Sequence, residues 1–187
     1  MVLGAILTAL VIVLQALATF TTFFGPFSTA LALIPIVIGA ALCGPAVAAW
    51  LDFVFGVVVL ATGGGALFWA FNVFGTIVTV LVKGTACGLA AGLVHKLIAK
   101  WNQTVAVIAA AIVCPVVNTA IFLLGGAIFF LDYANDIASA IGLNASGMAL
   151  FWALAMANFV FEVGMNIVLS PAIVRLLNIR KRESSSL

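Results

Sequence analysis

Charge is what this chain has least of. Of 187 residues, 6% are charged and 66% are hydrophobic. A soluble domain carries about 25% charged residues. So little polar surface cannot wet a globule, and the chain reads as an integral membrane protein. Histidine occurs once, as His95. No GxSxG, HExxH or Walker motif is present, and the Gly63–Gly65 run lacks the Lys-Ser/Thr that a phosphate loop needs. No catalytic residue, metal site, cofactor or nucleic-acid partner is therefore expected. An energised transport activity would have to draw on a partner or an ion gradient. The three cysteines, Cys43, Cys87 and Cys114, lie in apolar segments without a CxxC pair, and read as small buried hydrophobes.

What the chain does have is long apolar runs. A membrane helix needs about 20 apolar residues. Six runs qualify as candidates: residues 2–19, 28–43, 45–61, 66–94, 104–131 and 148–177. Phe24-Gly25-Pro26 closes the first and Cys43-Gly44-Pro45 splits the second from the third. Thr62 to Gly65 ends the third. The first run has neither a basic residue before it nor a small-residue cleavage site after a short apolar core, so a retained helix is expected rather than a signal peptide.

The few basic residues are unevenly placed. His95, Lys96 and Lys100 follow the fourth run, and Arg175, Arg180, Lys181 and Arg182 end the chain. The loops on the opposite side carry only Asp132 and Asp136. By the positive-inside rule, both termini and the 95–103 loop are cytosolic. The expectation is an all-α, six-transmembrane-helix bundle, N-in/C-in, forming one domain over residues 1–187. Trp69, Trp101 and Trp152 fall near span ends, as interfacial aromatics do.

Three ionisable residues, Asp52, Lys83 and Glu162, lie well inside the runs, at a cost of about 2.5–3.5 kcal/mol each on insertion scales. Counting at about 1.5 Å per residue places Lys83 ~22 Å and Glu162 ~21 Å below the outer ends of their spans. Their depths match, so a Lys83–Glu162 pair is possible. Asp52, ~10 Å above an inner end, is a second partner. Lys83 then reads either as a site or gate residue, or as one half of a structural pair. Asn158, Glu162 and Asn166 repeat every four residues and share one helical face. That face lines a cavity or forms a hydrogen-bonded seam. Asn72, Asn118 and Asn158 sit in the outer halves of three spans, where convergence would make a neutral polar pocket. Pro115 frees a backbone carbonyl one turn earlier, as happens beside cavities. Gly84, Gly88 and Gly92 form a strip for close helix packing, and Ala5 and Ala9 a small-xxx-small pair.

Several segments, in order, resemble one family. They are Ala5-Ile6-Leu7-Thr8-Ala9, then Ile34-Pro35 through Gly39-Ala40-Ala41-Leu42-Cys43-Gly44-Pro45. They continue with Lys83-Gly84, Gly88 and Gly92 to Lys96, and Cys114-Pro115-Val116-Val117-Asn118-Thr119 with Phe122 and Gly125. Together they resemble the substrate-binding S component of energy-coupling factor (ECF) vitamin transporters. The resemblance implies a bacterial plasma-membrane protein that captures a vitamin from outside and topples to release it inward. It implies two kinds of partner, a transmembrane coupling subunit and two cytosolic ATPase subunits, the coupling subunit docking on Ala5 and Ala9. The outer loops, 20–27, 61–67 and 132–147, would be lids. The Asn118-Thr119 segment is most similar to the pantothenate-type branch. Substrate contacts are then expected from Asn72, Asn118, Asn158, Trp69 and Trp152. A substrate carboxylate would meet a helix N-terminus or Lys83, since no outer loop offers a cation. The alternative is a stand-alone secondary transporter of a small polar solute, but residues 1–90 and 100–187 show no convincing repeat.

Overall fold

The computed structural model describes residues 2–21, 30–63, 66–140, 142 and 146–185. They form eight helices: α1 (Val2–Thr21), α2 (Ala30–Cys43), α3 (Pro45–Ala61), α4 (Ala66–Trp69), α5 (Val73–Ile98), α6 (Gln103–Phe129), α7 (Leu131–Ala140) and α8 (Gly147–Ser185). No strand occurs among the described residues. Val73–Ile98, Gln103–Phe129 and Gly147–Ile179 are long and apolar enough to cross a membrane. Val2–Ala18, Leu33–Cys43 and Pro45–Ala61 are shorter apolar helices. Most of the lid expected over 20–27 lies outside the described residues.

The turn at Cys43–Pro45 forms for a local reason. Gly44 takes φ +91°, a conformation that side chains with a Cβ rarely adopt, and Pro45 starts α3 where its missing N–H is no loss. Elsewhere the boundaries differ from the reading of the apolar runs. The single helix expected over 66–94 is interrupted at Ala70–Asn72, so α4 is a separate turn. Asn72 then caps α5, its side-chain oxygen accepting from Gly75 N–H at 2.8 Å. The loop expected over 132–147 contains the ten-residue helix α7. α8 runs through Pro171 without stopping.

The main core joins α1, α2, α3, α5 and α6 through Leu7, Val11, Ile36, Leu51, Phe55, Cys87 and Cys114. A second cluster ties the C-terminal part of α8 (Ile173, Leu177) to α2 and α6 through Val37 and Val107. The α3–α5 contact is the closest. A Cβ on Gly84 would lie 2.7 Å from the Asp52 carbonyl oxygen, and one on Gly92 would lie 2.5 Å from Pro45 Cα. On the facing helix, a Cβ on Gly56 would lie 3.1 Å from the Val80 carbonyl. The glycine strip is therefore a backbone-to-backbone seam.

One end of the bundle collects the basic residues. His95, Lys96 and Lys100 surround a cleft whose other walls are Ala40, Ala41 and Cys43–Pro45. Gly4 of α1 lies beside Val47 of α3, and Leu177 of α8 packs near the start of α6. The first helix therefore starts, and the last helix ends, at this basic end.

Pro115 has no N–H to give to the carbonyl of Ala111. In the fold, Asn166 Nδ2 donates to that oxygen at 3.1 Å, and Ser170 Oγ donates to the Asn166 carbonyl at 2.7 Å. The carbonyl released by the proline is thus bonded by the neighbouring helix. Asn166→Ala is expected to destabilise the protein by roughly 0.6–1.7 kcal/mol. In a Pro115→Ala background, where the Ala111 carbonyl regains its helical partner, the same change should cost measurably less. Thermal unfolding in detergent of the two single variants and the double variant checks this coupling.

Candidate binding site

Four helices bring polar groups to the middle of an apolar bundle. Asp52 comes from α3, Thr76, Thr79 and Lys83 from α5, Asn118 from α6, and Asn158 and Glu162 from α8. Thr76, Thr79 and Lys83 are spaced three and four residues apart, so they share one face of α5.

The carboxylates are both 1% exposed, and each is occupied. Glu162 accepts from Asn118 Nδ2 at 3.0 and 3.2 Å, and from Asn158 Nδ2 at 2.7 Å. Asp52 Oδ2 accepts from the backbone N–H of Gly88 at 2.5 Å. Such a bond across two helices needs the close approach that glycine permits at position 88. The Lys83 Nζ lies over the Phe122 ring, 5.9 Å from the centroid, within cation–π range.

Two cavities share Lys83 and Phe122 as walls. One, of about 80 Å³, is lined by Phe68, Thr76, Thr79 and Phe130 among others. The other, of about 160 Å³, adds Asn118, Thr119, Ala155 and Asn158. Neither carboxylate lines either cavity. Phenylalanines crowd around the first. Phe68 lies 5.0 Å from Phe130 and 6.0 Å from Phe122 between ring centroids, both edge-on, and Phe122 lies 5.8 Å from Phe151. The break at Ala70–Asn72 is what makes α4 a separate piece and lets Phe68 fold over the cavity. The Thr79 hydroxyl is buried there without a hydrogen-bond partner among the described residues.

The expected site residues therefore divide. Asn118, Asn158 and Lys83 meet at one cavity. The two amides do not stand free, because both bind Glu162. Asn72 is spent on the α5 cap and lines neither cavity. Trp69 borders a separate shallow pocket with Leu60, Ala61, Gly63 and Ala66, its indole N–H buried without a partner among the described residues. Trp152 is 50% exposed, and its neighbour Phe151 takes the inward place. The sequence left a Lys83–Glu162 or Lys83–Asp52 pair possible; in the fold Glu162 binds the Asn118 and Asn158 amides, Asp52 binds Gly88 N–H, and Lys83 lies over Phe122. Thr76, Thr79, Phe68 and Phe130 escaped the reading of the sequence. The threonine spacing ahead of Lys83 was the available signal. Ala5 and Ala9 are exposed on α1, on the face opposite buried Leu7 and Val11.

The family described as ECF transporter, substrate-specific component, matches residues 1–174. This chain belongs to that family. No individual curated protein and no solved structure matches it significantly. ECF substrate-specific components are substrate-binding subunits of vitamin or micronutrient transporters and not enzymes.

Proposed function

We propose that this protein is the capture subunit of an ATP-driven importer, taking a small water-soluble vitamin into the Lys83–Asn118–Asn158 cavity from the side opposite the basic end. The observation that carries the reading is that cavity, in a chain matched to the ECF family over residues 1–174. Six spans with both termini cytosolic are supported by the gathering of His95, Lys96, Lys100 and both chain ends on one side. The setting is a bacterial cell membrane. The partners are a transmembrane coupling subunit, docking on the Ala5–Ala9 face, and two cytosolic ATPase subunits. Among vitamins, pantothenate is favoured. It is an extended, hydroxylated acid with an amide, and the cavity offers an ammonium, hydroxyls and amides beside a phenylalanine wall.

Two measurements test this. Affinity purification from the source membrane is expected to bring down a coupling subunit and ATPases with the protein. Small-molecule mass spectrometry of the denatured protein is expected to release one vitamin-sized compound. A protein that imports its solute in proteoliposomes without any partner would refute the capture-subunit reading.

A further inference from the structure

The two cavities present an uneven chemistry. Their one formal charge, among the described residues, is the Lys83 ammonium. The acids that balance it sit one layer back. Glu162 is closed off by the Asn118 and Asn158 amides, and Asp52 by the Gly88 N–H. The two amides that bind Glu162 share a cavity wall with Lys83. A direct Lys83–Glu162 contact would have consumed both charges and left nothing for a ligand. The arrangement leaves Lys83 on the wall of both cavities.

A second, independent feature points to the same chemistry. Thr79 is 7% exposed, its hydroxyl is buried without a partner among the described residues, and it lies one turn above Lys83 on the same face of α5. A buried hydroxyl without a partner forgoes a hydrogen bond, and a ligand acceptor there would restore it. A cationic ligand would meet the ammonium with no carboxylate in reach. A neutral ligand would leave the ammonium without an anionic acceptor.

We infer that the two cavities, which share Lys83 and Phe122, together select a carboxylate-bearing substrate, its anionic oxygens held between Lys83 Nζ and Thr79 Oγ in the smaller one and its uncharged body extending past Phe122 toward Asn118 and Asn158 in the larger. This inference rests on the reading of the cavity as the capture site. Lys83 is then the specificity-determining residue, and Glu162 with its two amides positions it.

The test uses the purified full-length protein and a matched probe pair, pantothenate and pantothenol, which differ only by carboxylate against primary alcohol. The compound released by denaturation is identified alongside. The expected result is release of a carboxylic acid and a preference for the acid probe of roughly 10- to 100-fold, the range for hydrogen bonds to a charged group. Lys83→Gln should erase that preference, lowering acid affinity to the level of the alcohol and leaving alcohol affinity unchanged. Lys83→Arg should retain part of it. Should the glutamine variant fail to fold, Thr79→Val serves instead, with a several-fold loss for the acid alone. Release of a neutral or cationic compound, or acid binding unaffected by the lysine change, overturns the carboxylate inference and leaves the capture function standing. Release of no compound, with neither probe raising the unfolding temperature, overturns the capture reading and this inference with it.

Discussion

Replacing Ala9 by tryptophan is expected to stop uptake by the assembled transporter while leaving ligand binding by the isolated protein as it was. Ala5 and Ala9 are exposed, and α1 buries the opposite face through Leu7, Val11 and Gln15. Small residues one turn apart let a second helix approach to backbone distance, and an indole in that strip holds the helices apart. The flanking residues Val2, Ile6 and Val13 are more than half exposed, so the strip lies in an apolar surface that lipid or a partner helix can cover. The cavity is walled by α5, α6 and α8 and takes no side chain from α1. A tryptophan at position 9 should therefore leave both ligand affinity and unfolding temperature unchanged. Ala5→Trp should act in the same way. Transport assays in proteoliposomes containing all subunits, set beside binding by the free protein, separate the two effects. Full uptake by both variants would remove α1 from the coupling interface.

The second large effect is expected inside the chain. Gly88→Val should lower stability by about 3 kcal/mol or more, at or beyond the upper end for overpacked cores. A Cβ there would run into the carbonyl of Ala48, which belongs to the backbone of α3 and cannot swing aside. The same change would pull Gly88 N–H from Asp52 and leave a buried carboxylate unpartnered. Gly164→Ala is the control. A Cβ on Gly164 meets nothing within 4 Å, so alanine should be neutral or stabilise by up to about 1 kcal/mol. Unfolding temperature and monodispersity in detergent report both. Equal stability of the two variants would mean that the α3–α5 seam is looser than described.

These residues also show what could be read without coordinates. Breaks made by backbone chemistry were legible: Gly44-Pro45 marked the turn, and Pro115 marked a freed carbonyl. The spacing of Gly84, Gly88 and Gly92 announced a tight seam but not which helix fills it. The break at Ala70–Asn72 was hidden, because the apolar run continues across it and only an Asn cap gives it away. Partner choice was the least legible. Lys83 and Glu162 match in depth, yet hydropathy cannot say that two amides from different helices will bind Glu162. Likewise, tryptophan composition pointed to Trp152, whereas helical phase turns Phe151 inward.

The helices are unequal in length, and that has a mechanical consequence. α3, bounded at both ends, has 17 residues and rises only ~25 Å, while the apolar part of α8, Gly147–Ile179, has 33 residues and rises ~50 Å. A hydrocarbon layer about 30 Å thick cannot match both flanks. The lipid beside α3 has to thin, and α8 has to lean or project, each at a fraction of a kcal/mol per ångström of mismatch. In a protein that spans the layer as proposed, the unequal flanks put a torque on the bundle at rest, held by the shape of the surrounding lipid.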